Sequence, residues 1–173
     1  LTKGIRTQNQ NSQAFASISV RPVNHIQLYG SFFIDEIKFS RFKPSEPENN
    51  PISYLVGFNW SGWPIDGLSL RGEFMRSYIA CYTHSIDVLT WASNSYNMGH
   101  YMGDNAQSIY AELAYRPVRG LLLRMSYTND KKFDSYAYLR DNISATIAQV
   151  PFQNCVYSDN EFRLDGIYEA HPD

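Results

Sequence analysis

The chain has little charge, few cysteines and no long apolar run. Its 173 residues hold only two cysteines, Cys81 and Cys155, placed far apart. That is no disulfide framework, and the spacing matches no metal-binding motif. Two free thiols and a single bridge between loops both fit it. Charged residues make up 18% of the chain, below the roughly 25% of an average soluble domain. Neither sign dominates, with 15 Lys and Arg against 17 Asp and Glu and no basic run. A nucleic-acid binder that works through a basic stripe is therefore excluded. No stretch approaches the ~20 apolar residues that a membrane-spanning helix needs. What the chain does have is aromatics: 13 Tyr, 10 Phe and 3 Trp. With that much surface to bury, it is not a disordered segment. One membrane class survives these exclusions. A transmembrane β-barrel alternates its polarity, so its chain averages out as hydrophilic.

Alternation is what the sequence shows, in segment after segment, and alternation means strands with two unlike faces. In 26–35 the even positions are Ile26, Leu28, Gly30, Phe32 and Ile34, against Gln27, Tyr29, Ser31, Phe33 and Asp35. The same reading gives strands at 52–60, 68–75, 109–116 and 121–128, with weaker ones at 14–20 and 162–168. The apolar set includes Val56, Phe58, Leu70, Phe74, Ile109, Leu113, Leu123 and Met125.

Prolines repeat with the strands. Pro22, Pro64 and Pro117 each stand four residues before an Ile or Leu (Ile26, Leu68, Leu121) and six before a Leu (Leu28, Leu70, Leu123). Proline has a fixed φ and no N–H to give to a ladder, so each is expected at a tight hairpin. This is a supersecondary repeat with variable insertions. Pro172, four residues after Tyr168, fits the start of a fourth copy, and residue 1 is Leu. The expectation is one stretch of a single β-domain, 1–173, truncated at both ends. The other connections, roughly 38–51, 79–107 and 129–160, are long. Short turns alternating with long loops are the asymmetry of an outer-membrane barrel. The fold class expected is therefore all-β: an antiparallel transmembrane β-barrel, of which this chain supplies seven to eight strands. A soluble β-sandwich is the alternative.

In a barrel the apolar face meets lipid and the polar face lines the lumen. The candidate lumen residues are Arg71, Glu73, Arg76, Tyr110, Glu112 and Arg124, joined by Gln27, Ser31, Asp35, Asn59 and Ser126. They either pair across strands or line a ligand path. Trp60, Trp63, Phe74, Tyr78, Tyr115, Tyr127 and Tyr168 would form interfacial girdles, although aromatics also favour strands for their own sake.

The 79–107 loop concentrates the unusual residues: Tyr82, His84, Trp91, Tyr96, His100, Tyr101 and Asp104. Rings beside hydrogen-bonding groups suit carbohydrate, whose C–H faces stack and whose hydroxyls need partners. A loop with a small core of its own is the other reading. His84, His100, Asp87 and Asp104 follow no zinc or iron spacing. No nucleophile motif appears, so the chain is expected to be non-enzymatic, with no metal and no cofactor. Leu139, Ile143, Ile147 and Val150 recur at helical spacing, which allows a short helix or an irregular strand pair in the last loop.

Four pieces in order carry a resemblance. They are Glu73-Phe74-Met75-Arg76, Tyr82-Thr83-His84, the MGHYMGDNAQ run from Met98, and YAELAYRP from Tyr110 to Pro117. Together, over roughly 14–128, they resemble the Wzi-like capsule assembly proteins, and more closely their relatives among Bacteroidota outer-membrane proteins. Glu73, Arg76, Tyr82, His84, Gly99, His100, Gly103 and Asp104 carry the pattern by position. The resemblance implies a large outer-membrane barrel with helical plugs in a Gram-negative cell. It also implies a non-catalytic role in binding or organising capsular or exopolysaccharide. The partners it implies are surface polysaccharide, outer-membrane lipid and other capsule or export machinery proteins. A porin-like or transport channel and a soluble β-sandwich binding module are the rival functions.

Overall fold

The computed structural model describes residues 13–35, 50–83, 90–94, 96–134 and 152–169. These residues are all-β, with no helix among them. Seven strands form one antiparallel sheet: β1 (Gln13–Val23), β2 (Ile26–Asp35), β3 (Ile52–Ser61), β4 (Leu68–Ser77), β7 (Ala106–Val118), β8 (Leu121–Phe133) and β9 (Cys155–Tyr168). Their order in the sheet is β1-β2-β3-β4-β7-β8-β9, an uninterrupted meander. A two-stranded ribbon, β5 (Ala92–Ser93) and β6 (Tyr96–Asn97), lies within the connection from β4 to β7. The sheet is open: β1 and β9 are its two edges.

Register turns the alternation into two faces. Leu28 pairs Phe58, Val56 pairs Phe74, and Phe74 pairs Ile109. Leu113 pairs Met125, which pairs Leu164. The apolar rows therefore cross the sheet in phase, because side chains repeat with period two and neighbouring strands keep phase; the row through Val56, Phe74 and Ile109 turns polar at Asn129 and Asn160 on β8 and β9. This face is exposed: Phe58, Leu123 and Leu164 are 39%, 45% and 69% accessible. Gly72 lies directly opposite Phe58, whose ring covers it so closely that a Cβ there would come within 2.5 Å of the ring.

The proline hairpins form at the expected places. Pro22 and Pro117 sit inside the last residues of β1 and β7, where register shifts between Val20 and Val23 and between Tyr115 and Val118. A bulge is where a strand tolerates a residue without an N–H. Pro64 lies in the longer turn between β3 and β4. A second repeat, not read from the sequence, accompanies the prolines. His25, Gly67 and Gly120 each end a turn in the left-handed region, at φ of 72°, 79° and 85°. Each carbonyl accepts a hydrogen bond from the strand that follows its hairpin: from Ser61 N at 2.9 Å, Arg116 N at 2.9 Å and Glu169 N at 2.8 Å. Trp60, Tyr115 and Tyr168 stand one residue earlier, paired with Ile26, Leu68 and Leu121.

The three short turns lie at one end of the meander, and the three long connections at the other. Two of those connections are shorter than expected. β7 begins at Ala106, and β8 and β9 continue through Phe133 and from Cys155, so the expected loop over 129–160 shrinks by about a third. Alternation marks only the stretch of a strand with one apolar face. Beyond that band Lys131 pairs Ser158 and Asp130 pairs Asp159: the ladder continues where both faces are polar. The helical spacing at 139–150, and Pro172, fall outside the described residues.

Candidate functional site

The face opposite the apolar one divides into two regions. Toward the turn end it carries a charged belt. Rows of paired residues run Tyr29–Gly57–Glu73–Tyr110 and Gln27–Asn59–Arg71–Glu112. Tyr29 reaches across Gly57, where a Cβ would stand 2.5 Å from its ring, and donates to Glu73 Oε1. Arg71 donates to the same oxygen through Nε at 3.0 Å and Nη2 at 2.5 Å. The Arg71 guanidinium also lies 5.7 Å from the centre of the Tyr110 ring. Tyr110 donates to Glu112 Oε2 at 2.7 Å, and Arg124 Nε stands 3.5 Å from that oxygen. The two acids and two arginines thus neutralise one another in pairs, within β4 and across β7 and β8. Five of the six expected lumen residues share this belt.

Arg76 does not, and this corrects the expectation. It lies two residues from Phe74 and three from Glu73, so alternation turns it to the apolar face. There the Phe152 ring centre lies 3.9 Å from its Cζ and the Tyr78 ring centre 5.9 Å away. Phe152 also meets Tyr78 and Phe133 edge-on. Arg76 is a strand-end cation under aromatic cover.

Toward the loop end the same face becomes apolar. Phe33, Leu55 and Met75 take the positions that charged and polar residues hold lower down. The described parts of the connection, 78–83, 90–94 and 96–105, fold back over them. Phe33 packs on Tyr82 at 5.1 Å and on Trp91 at 5.2 Å between ring centres. With buried Cys81 they form the one core cluster among the described residues. Gly99 passes so close to Tyr82 that a Cβ would lie 2.3 Å from the ring. Trp91 N donates to Tyr82 O and Met98 N to Trp91 O, both at 3.0 Å.

Polar bonds fix the loop to the strand ends. Asp104 is buried, accepting from Ala80 N at 3.2 Å and from Lys132 Nζ at 3.0 Å. Ser77 donates to Gly103 O at 2.6 Å. Tyr101 donates to Asp130 Oδ2 at 2.5 Å. Partial burial, then the Asp130 carboxylate beside it, pushes the Tyr101 phenol up to about 12. Burial lowers His100 below the ordinary imidazole range, against the opposing pull of Asp130 and Glu73. Both cysteines are free thiols, and burial pushes the Cys81 thiol up; it is a small apolar core residue.

The expected loop residues thus separate. Tyr82 and Asp104 are buried and hold the loop together. Trp91 and His100 are half-buried, and Tyr96 and Tyr101 are exposed, Tyr101 with its ring 4.3 Å from that of His100. His84 lies outside the described residues. Among those residues no three His, Cys, Asp or Glu side chains gather as a metal site.

Asn105 was missed from the sequence. Fully buried at φ 45°, it donates to Asp134 O at 2.7 Å and accepts from Phe152 N at 3.0 Å. It ties the third long connection to the second. The turn-forming run Gly103-Asp104-Asn105 was the available signal.

Between the loop and the sheet lies a cavity of about 420 Å³, lined by Phe33, Leu55, Met75 and Trp91 with Ser31, Ser53 and His100 at its polar points. No known protein family, no curated protein and no solved structure gives a significant match to this chain.

Proposed function

We propose that this chain is part of a non-catalytic outer-membrane β-barrel that binds or organises capsular or exopolysaccharide at the cell surface. Its lipid contact would be the apolar face, and its glycan contact the long-loop end. The observation that carries the reading is an apolar face to which all seven strands contribute, opposite a face of paired charges. Seven strands at ~4.8 Å, each giving this face four positions at ~6.6 Å of rise apiece, make a patch of about 34 by about 26 Å, on the order of 900 Å². The largest apolar patch on an ordinary soluble monomer is about 300–600 Å². At ~25 cal/mol per Å², leaving it in water rather than in lipid costs on the order of 20 kcal/mol. Lipid removes that cost, and the rise agrees with the ~25 Å apolar band of outer-membrane barrels. Trp60, Trp63, Tyr115 and Tyr168 sit at its turn-side rim, the place of an interfacial girdle.

The glycan half of the proposal rests on Tyr96, Tyr101, His100 and Trp91 at the loop end, and on the resemblance to Wzi-like proteins. Glycan retention by cells should fall when Trp91 or Tyr101 becomes Ala, with barrel assembly unchanged in heat-modifiability gels. Unchanged retention in both variants would sink the loop assignment. A pore is the second reading, favoured by the partly exposed Arg71 and Arg124 on the charged belt. Single-channel conductance of the full-length protein separates the two, since a plugged barrel is nearly silent.

A further inference from the structure

Among the described residues, the cavity under the loop differs from the rest of its face in carrying no charged side chain. No Lys, Arg, Asp or Glu is among its described lining residues, whereas the belt toward the turn end of the same face holds Arg71, Glu73, Glu112 and Arg124. Its walls are aromatic and aliphatic. Its polar points are the Ser31 hydroxyl and one imidazole, with the Ser53 and Tyr82 hydroxyls bonded to each other. A carboxylate placed there would lose its water and gain no cation, which is strongly unfavourable. A fully hydroxylated sugar would leave hydroxyls against Leu55, Met75 and Phe33 without partners. The volume equals about fourteen waters at ~30 Å³ each, enough for one ring with a small substituent, and lies within the ~300–1,000 Å³ of ligand pockets.

We propose that this cavity is a subsite for one uncharged sugar unit bearing an apolar group, a deoxy or acetylated ring. Trp91 and Phe33 take its apolar side, and Ser31 and His100 meet its hydroxyls. The assignment rests on the glycan reading above and narrows it from surface polysaccharide in general to a residue class. Burial disfavours the charged form of His100, and its Nδ1 accepts from Met102 N at 3.3 Å, so Nε2–H is left to donate to a ligand oxygen.

The test uses the full-length protein in nanodiscs, read by Trp fluorescence and saturation-transfer NMR. The probes are methyl N-acetylglucosaminide, methyl 6-deoxygalactoside, methyl glucoside and methyl glucuronide. The acetylated and deoxy probes should bind about tenfold tighter than glucuronide. Trp91→Leu should weaken both by about as much, with strand circular dichroism unchanged. Ser31→Arg, which sets a cation in the cavity, should reverse the order toward glucuronide. Equal binding of all four probes, a wild-type preference for glucuronide, or an order unmoved by Ser31→Arg would overturn the proposal. Extended surface polysaccharide is measured alongside. If it binds while no single sugar does, the cavity assignment falls and the wider reading stands. If selective probe binding occurs without polysaccharide binding, the wider reading falls and the subsite stands.

Discussion

The two halves of the polar face are built on the same strands at the same parity, yet they have opposite chemistry. β2 places Tyr29 in the turn-side half and Phe33 in the loop-side half; β4 places Glu73 in one and Met75 in the other. In the first half polar side chains satisfy one another and need no cover. In the second, apolar side chains require cover, and the Tyr78–Asn105 loop supplies it. The loop's position is thus written into the strands as a lapse in alternation, at Phe32-Phe33-Ile34 and again at Phe74-Met75, as much as into the loop itself.

The strongest way to break that comparison is Phe33→Ala. Deleting the ring that holds Tyr82 and Trp91 should cost about 3–5 kcal/mol and open the loop to proteolysis. A loop as protected as before would show that the apolar half does not hold it. Gly99→Ala sharpens the point from the loop's side. Its Cβ would collide with the Tyr82 ring, an overpacking expected to cost about 1–3 kcal/mol and to raise the Trp91 emission wavelength. Tyr101→Phe removes one bond from the loop's rim, for about 1 kcal/mol, and gives a pH signature. The folded-state phenol is raised above its ordinary value of 10.0 to about 12. The Asp130 bond therefore contributes fully below pH 10 and is lost as pH climbs through about 12. Protease sensitivity of the loop should rise across that window in the wild type and stay flat in the Phe variant. The smallest effect belongs to the open half. Glu73→Gln loosens a partly exposed ion pair, worth at most about 1 kcal/mol, and should leave the loop closed. A thermal shift as large as that of Phe33→Ala would erase the distinction between the halves.

The strands were legible because one apolar face per strand leaves a period of two, and all seven appear where alternation placed them. Their extent was less legible. Asn129–Phe133 and Cys155–Glu161 run past the apolar band, where pairing leaves no pattern in polarity. Arg76 was grouped with the polar face for its charge, although it shares the parity of Phe74 and not that of Glu73. Within the loop, the residue types singled out were rings and carboxylates, which serve equally as contacts with a ligand or as fastenings within a fold. Tyr82 and Asp104 proved to be fastenings, because Gly99 and Lys132, distant in sequence, come to meet them. No spacing in the chain announces those pairings.

The stitch at His25, Gly67 and Gly120 bears on how such a sheet changes over time. Each hairpin closes on itself and hands one carbonyl to the next strand, and asks nothing more of its neighbour at that end. Duplicating or deleting such a unit keeps every remaining stitch in register and shifts the sheet's width by two strands, about 10 Å. Loss of a single strand would leave a left-handed turn with no partner. A lineage built on this device should vary in whole hairpins, with the parity of its strand count inherited even where the count is not.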